Sequence, residues 1–180
     1  HGLIEMNSSE KYMGRFAFPL SSGVYKLHVS HPVHPGLFAT YYDGEDPSTL
    51  TTHVSSKAQP NIDFSMAANS KPAVSLTAGQ AYSVRWSGFV RPQYAQVYTF
   101  FAAVETAVER VKLWVDNSLL VDQWADLTAL ETSATLLMGT ANGYYDVVME
   151  YKHSTGTGAE QGAKLSWQGD SVAKQTVGKM

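Results

Sequence analysis

The most informative segment for the fold of this chain is Leu113-Trp114-Val115-Asp116-Asn117-Ser118-Leu119-Leu120-Val121-Asp122-Gln123-Trp124. Two runs of β-favouring residues flank its centre, and Asn and Asp tolerate the positive φ that tight hairpins need. The pattern therefore predicts a hairpin from Leu113 to Asp122 that turns at Asp116-Asn117-Ser118. This hairpin places Trp114 and Trp124 on two different strands.

A second stretch, Ser83 to Val90, alternates between apolar and polar positions. Val84 and Trp86 fall on one face of the predicted strand, while Arg85 and Ser87 fall on the other. Such alternation is typical of a strand with one face in the core. Together with the hairpin, it indicates antiparallel β-structure.

Composition limits the fold and the partners. The chain has 180 residues, enough for one domain with a sizeable core or one domain plus a fragment. Aromatic residues make up 12% and charged residues only 16%, which favours an all-β protein. A net charge of −3 gives no reason to expect nucleic acid or an anionic membrane as partner. No apolar run is long enough to insert into a membrane, and the chain has no cysteine.

Seven motifs follow one another in the order found in a known family. They are Gly36–Tyr42, Asn61–Phe64, Arg85–Gly88, Val97–Phe101, the Leu113–Asp122 hairpin, Gly143–Tyr151 and Ala163–Trp167. In these motifs the chain resembles the PA-fourteen family of β-sandwich domains, named after the N-terminal fragment of anthrax protective antigen. The resemblance implies an all-β, antiparallel two-sheet sandwich over residues 35–180. It also implies that a set of large side chains is buried, namely Trp86, Tyr98, Trp114, Val147 and Trp167.

Residues 1–34 lie outside the resemblance. Gly14–Pro19 and Val24–Val29 alternate like strands around the turn residues 21–23, so we expect an N-terminal β-hairpin. It looks like the end of an immunoglobulin-like or filamin-like repeat. The linker after it contains His31 and His34, for which solvated histidines are favoured over a metal site because no other ligand lies close in sequence.

The resemblance also raises the question of calcium. In sugar-binding members of the family, two consecutive aspartates before the strand that here contains Leu113 hold a calcium ion that coordinates sugar hydroxyls. This chain contains no Asp-Asp pair; Glu105-Thr106 stands in about that place. Thr is a poorer calcium ligand than a carboxylate, and Arg110 is expected to neutralise Glu109. The spacing of Val104, Val108 and Val111 predicts a turn of helix here. We therefore expect no cofactor, with calcium binding weak or absent.

A ligand site is expected where two loops meet at one end of the sandwich. The first loop contains Glu105 and Thr106, and the second is the glycine-rich segment with Gly156, Gly158, Glu160 and Gln161. Glycines let such a loop adapt to a ligand, although an idle surface loop has the same composition. Trp124 is added as an aromatic candidate for stacking on sugar, whereas core packing is favoured for the other tryptophans.

The sequence indicates a binding function without catalysis. It has no Gly-x-Ser-x-Gly elbow, no His-Glu-x-x-His and no phosphate-binding glycine loop. Its neighbouring carboxylates fit solvated acids better than a glycosidase pair. We expect a carbohydrate-binding or adhesive module of a larger extracellular or cell-surface protein, with a glycan or a cell-surface protein as partner. A structural or protein-interaction domain without a small ligand is the main alternative, and an accessory domain near an enzyme's active site is another.

Overall fold

The computed structural model describes residues 37–47, 53–73, 76–154 and 160–178, together with the backbone of two strands before residue 19. Within these residues the protein forms strands and no helix, so no helix there could span a membrane. The strands, in chain order, are β1 (Gly2–Met6), β2 (Gly14–Phe18), β3 (Leu37–Asp43), β4 (His53–Gln59), β5 (Asp63–Met66), β6 (Tyr82–Val90), β7 (Gln96–Val104), β8 (Glu109–Val115), β9 (Ser118–Asp122), β10 (Glu131–Met138), β11 (Tyr145–His153), β12 (Gln161–Gly169) and β13 (Val172–Thr176).

The chain divides into two units, His1–Val33 and His34–Met180. In the first unit, β1 pairs antiparallel with β2, with Gly2 opposite Phe18. The predicted strand at 14–19 is therefore present, and β1 is a partner that the sequence analysis missed. The other predicted strand, Val24–Val29, lies outside the described residues. The immunoglobulin-like origin of this unit and the boundary at residue 34 stay predictions.

The second unit is an antiparallel β-sandwich, which confirms the predicted fold class. One sheet has six strands in the order β4-β3-β6-β11-β8-β9. The other has five: β10, β7 and β12 run side by side, and β13 and β5 share the remaining edge of β12. The chain passes from the five-stranded to the six-stranded sheet between β7 and β8, through residues 105–108.

Strict alternation along the strands builds the core between the sheets. On β8, residues 109, 111, 113 and 115 are buried and the residues between them are not. On β11, residues 147, 149, 151 and 153 are buried in the same way. This is the period of two that a strand with one covered face requires. Burial is confirmed for Trp86, Tyr98, Val147 and Trp167.

The burial predicted for Trp114 is wrong. Its neighbours Leu113 and Val115 point into the core, so Trp114 points to the outer face of the six-stranded sheet and is only half-buried. There the Lys112 ammonium group lies 5.9 Å from its ring centroid. A tryptophan next to a long cationic side chain is covered by the lysine stem and by cation–π attraction instead of by the core.

The predicted hairpin is confirmed. β8 and β9 pair antiparallel, with Val115 opposite Ser118. The two residues between the strands, Asp116 and Asn117, have φ of 51° and 59°. Positive φ at both central residues is what a two-residue type I′ turn demands, and Asp and Asn adopt it at little cost.

Candidate functional site

Residues 105–108 form the first segment of the candidate site. They make a bend and a turn, closed by the Glu109 N–H, which donates to the Thr106 carbonyl oxygen at 3.2 Å. The helical turn predicted here is absent. Strand β7 continues through Val104, whose N–H donates to Leu130 O at 2.8 Å, so only four residues remain to cross between the sheets.

Residues 160–162 form the second segment, and they lie directly against the first. A Cβ atom on Gly162 would stand 2.4 Å from Glu105 Cγ and 2.6 Å from the Phe64 carbonyl oxygen. The Glu105 side chain therefore crosses the start of β12 where only glycine leaves room. The Glu105 N–H also donates to Gly162 O at 3.3 Å. Most of the glycine-rich loop that was expected to meet Glu105 lies outside the described residues, so that expectation stays a prediction; the described contact is between Glu105 and Gly162.

The segment that contains Trp124 joins the same end through Arg110. The Arg110 Nη1 donates to the Ala107 carbonyl oxygen at 2.8 Å, and its Nε donates to Ala125 O at 3.3 Å. Trp124 itself is half-buried beside the ammonium group of Lys152, 4.8 Å from its ring centroid. We call this part of the sandwich the loop end, defined by residues 105–108, 123–126 and 160–162.

The site residues predicted from the sequence differ in their exposure to solvent. Glu105 and Glu160 are exposed carboxylates. Gln161 is buried; its Nε2 donates to Ser70 O at 3.3 Å, but its Oε1 has no hydrogen-bond partner among the described residues. The Thr106 hydroxyl is likewise buried without a partner there. Gly156 and Gly158 lie outside the described residues. The loop end thus combines exposed acids with buried oxygens that are able to accept hydrogen bonds.

Glu109 is the residue that the sequence analysis misjudged. It is fully buried beneath both segments. Its Oε2 accepts the N–H groups of Glu105 and Thr106, each at 2.8 Å, and its Oε1 accepts the Gly162 N–H at 2.9 Å. The Tyr151 hydroxyl also donates to Oε1.

Arg110 does not neutralise Glu109, contrary to the prediction. Its guanidinium donates to backbone carbonyl oxygens, because consecutive strand residues point to opposite faces. The signal was present in the sequence: Glu109 is in phase with Val111, Leu113 and Val115, and this period of two marks it as inward-facing.

Burial sets the protonation of the groups around Glu109. Burial raises the pKa of Tyr151, and the nearby Tyr82 and Glu109 raise it further. Burial lowers the pKa of His153, an effect that the Glu109 carboxylate opposes. The His153 Nδ1 lies 3.7 Å from Glu109 Oε1. Tyr151 is therefore a neutral hydrogen-bond donor, and His153 is held toward its neutral form at neutral pH.

The donor set at the loop end does not fit the calcium site that the resemblance implies. Calcium takes six to eight oxygen ligands, usually with several carboxylates among them. In the described part of the chain, no group of three or more His, Cys, Asp or Glu side chains could hold a metal ion. The one carboxylate buried between the two segments, Glu109, already accepts four hydrogen bonds.

Comparison with known proteins adds a family and a fold. Residues 34–180 match the PA14 domain family. The anti-sigma-I factor RsgI3 of Acetivibrio thermocellus is 34% identical over 142 residues, which are 79% of this chain and 20% of that protein. A solved anti-sigma factor domain-containing protein from Clostridium clariflavum is 34% identical, with a TM-score of 0.70 over 81% of this chain and 46% of that one. The chain thus spans less than half of these relatives.

Two adhesin structures share the fold at low sequence identity. The epithelial adhesin 6 A domain from Candida glabrata, solved in complex with Galβ1-3GlcNAc, is 12% identical, with a TM-score of 0.60 over 84% of this chain and 86% of that one. The PA14 sugar-binding domain from an RTX adhesin is 15% identical, with a TM-score of 0.58 over 79% and 94%. The family match covers the whole sandwich, and the architecture agrees with it. The chain therefore belongs to the PA14 domain family, the one that its ordered motifs resemble.

Proposed function

We propose that residues 34–180 are a non-catalytic carbohydrate-binding module of a larger modular protein, located at the cell surface or outside the cell. The observation that carries this proposal is the contact of Glu105 with Gly162, which brings residues 105–106 next to the start of β12 at one end of the sandwich. Fold neighbours with this architecture include an adhesin domain solved with Galβ1-3GlcNAc and a sugar-binding domain. The relatives named as anti-sigma factors carry such a domain in a regulatory protein, where a ligand-binding module also has a place.

The proposed ligand contacts are hydrogen bonds from sugar hydroxyls. The Glu105 and Glu160 carboxylates are exposed acceptors, and hydrogen bonds to charged acceptors are stronger than those to neutral ones. The Thr106 hydroxyl and the Gln161 Oε1 are buried, so they are not counted among the direct ligand contacts. The two exposed acids disfavour an anionic ligand, and the Arg110 guanidinium is occupied by backbone carbonyl oxygens, so a neutral, hydroxyl-rich ligand suits this end better. Trp124 lies beside this set, partly covered by Lys152.

We further propose that binding needs no calcium and that the domain has no catalytic activity. Two exposed glutamates are too few for an oxygen cage around calcium. Glu109, the buried acid, is enclosed by hydrogen-bond donors and core residues that keep it away from a substrate. A general acid or base would need contact with the reacting bond.

A glycan array, including Galβ1-3GlcNAc, tests the proposal with matched charge-removal variants. The double variant Glu105→Gln/Glu160→Gln removes two acids from the loop end. The control Asp116→Asn/Asp170→Asn removes two exposed acids from other turns. We expect the first to weaken binding at least about tenfold and the control to change it less than about twofold. Excess chelator should leave binding of the unmodified domain unchanged.

A protein-interaction domain without a glycan ligand is the second candidate. It is favoured by exposed apolar side chains away from the loop end, among them Phe89 at 49% and Tyr144 at 56% exposure. Exposed aromatic residues are common at protein interfaces. If the array shows no glycan, and substitution of Tyr144 removes binding to a natural partner, this candidate replaces the first.

A further inference from the structure

The three backbone groups bound by Glu109 all belong to the proposed site. Two are the N–H groups of Glu105 and Thr106, in the first segment, and the third is that of Gly162, in the second. The two segments adjoin paired strands of the five-stranded sheet: residue 105 follows β7, and Gly162 lies in β12, which pairs with β7 as far as Ala163 opposite Val104. One carboxylate thus holds both parts of the site, although Gly162 is 53 residues further along the chain.

Side chains of the six-stranded sheet also contact the Glu109 carboxylate. The Tyr151 hydroxyl donates to it from β11, and the His153 Nδ1 lies 3.7 Å away on the same strand. The Tyr82 ring of β6 packs against both, with centroid distances of 5.9 Å to Tyr151 and 5.7 Å to His153. The six-stranded sheet therefore fixes the carboxylate, and the carboxylate fixes the two segments above it.

We propose that Glu109 is the positioning residue of the glycan site: a buried anion that sets the distance between residues 105–106 and 160–162. The inference rests on the proposed function for its biological meaning. The charge at the centre of this arrangement is opposite to that of a metal site, in which a cation would bind carboxylates. Here the Glu109 carboxylate accepts hydrogen bonds from backbone N–H groups. The exposed carboxylates of Glu105 and Glu160 therefore remain available to a ligand.

Hydrogen exchange of the ligand-free domain tests this directly. In Glu109→Gln, an amide NH₂ replaces one acceptor oxygen and faces other donors. We expect the amides of Glu105, Thr106 and Gly162 to exchange at least about tenfold faster, while amides of the β7–β10 ladder stay within about threefold. In Glu150→Gln, the control on the outer face of β11, all of these amides should exchange as in the unmodified domain.

A second variant separates positioning from a general role in the core. Tyr151→Phe removes one donor to Glu109 but leaves its bonds to the three backbone N–H groups. The three amides should keep their protection to within about threefold, even if the whole domain is less stable. If Tyr151→Phe and Glu109→Gln accelerate the same amides equally, or Glu109→Gln accelerates none of them, the proposal fails. If Glu109→Gln does not fold, Glu109→Asp replaces it, and full protection with the shorter acid overturns the proposal.

Glycan binding closes the test. For a glycan that the unmodified domain binds, Glu109→Gln should weaken binding at least about tenfold and Glu150→Gln less than about twofold. Unchanged binding in Glu109→Gln would overturn the positioning role while leaving the proposed function intact. If the unmodified domain binds no glycan, the proposed function fails, and the exchange rates still decide whether Glu109 sets the two segments.

Discussion

The two ends of the sandwich are held together by different physics. At the loop end, a fully buried carboxylate gathers backbone N–H groups from two segments. The opposite end, formed by residues 91–95, 139–144 and 169–172, has surface aromatic contacts and a backbone hydrogen bond from Asn142 N–H to Pro92 O at 2.7 Å. There Phe89 and Tyr144 meet edge to face at 6.4 Å, and the Arg91 guanidinium lies 5.7 Å from the Tyr144 ring. We therefore expect the loop end to lose stability when the buried carboxylate is removed, and the opposite end to tolerate substitution of its surface residues.

Loss of the Glu109 side chain should produce the largest effect. Glu109→Ala removes the acceptor of the Thr106 and Gly162 N–H groups and of the Tyr151 hydroxyl, while the Glu105 N–H keeps its bond to Gly162 O. Each buried unpaired group costs about 1–3 kcal/mol. We expect the free energy of unfolding to fall by about 3–5 kcal/mol, measured by urea denaturation. Glu150→Ala, which loses a partly exposed ion pair with Arg85, should cost less than about 1 kcal/mol. Equal losses would mean that the buried Glu109 carboxylate contributes no more to stability than the partly exposed Glu150.

A methyl group at Gly162 should have the next largest effect. Gly162→Ala places Cβ 2.6 Å from the Phe64 carbonyl oxygen, which belongs to the backbone and cannot easily move away. We expect a loss of about 1–3 kcal/mol in unfolding free energy. Gly139→Ala is the matched control at the opposite end, since a Cβ there meets nothing within 4 Å. Adding Glu105→Ala should recover only part of the loss, because the backbone clash remains.

Acid should weaken the loop end before it weakens the opposite end. Burial lowers the pKa of His153 below its ordinary value of 6.5, so the unfolded chain binds a proton that the folded one resists. The contribution of His153 to stability is therefore present above 6.5 and is lost as the pH falls toward the lowered value. Unfolding free energies from about pH 7.5 to 5.5 should decline more steeply in the unmodified domain than in His153→Gln. Parallel curves would show that Glu109 cancels the effect of burial.

Tyr144→Ala should have the smallest effect. Its ring is 56% exposed, and its contacts with Arg91 and Phe89 lie at the surface. We expect a loss of no more than about 0.5–1 kcal/mol, independent of pH, by thermal or urea unfolding. A loss as large as that of Gly162→Ala would show that the opposite end is also tightly determined.

The sequence was sufficient to predict local features of the fold. The β8–β9 turn follows from Asp116 and Asn117, whose positive φ values are a local property. The orientation of Trp114 was missed because Leu113, Trp114 and Val115 are all apolar and the stretch alone does not fix its phase. The charged residues Arg110 and Lys112, in phase with Trp114, contain the missing signal.

The contacts that hold Glu105 in place could not be predicted from the sequence. The resemblance predicted that Glu105 and Thr106 lie near the glycine-rich loop of residues 155–161, most of which lies outside the described residues. The role of Glu109 was not predicted, because its partners come from residues 105, 106, 151 and 162, which only the closed sandwich brings together. No sequence pattern predicts that these backbone N–H groups donate hydrogen bonds to one carboxylate.

Glu109 and Gly162 lie 53 residues apart in the chain, and this separation affects the order in which the domain folds. Contacts between residues far apart in the chain form late, because the loop between them must close first, and all-β sandwiches fold slowly for this reason. The two segments above Glu109 cannot meet until β12 has joined β7 in the five-stranded sheet. A newly made chain that still lacks β12, or one released before folding is complete, therefore has no assembled loop end. Ligand binding at that end would report that folding has finished.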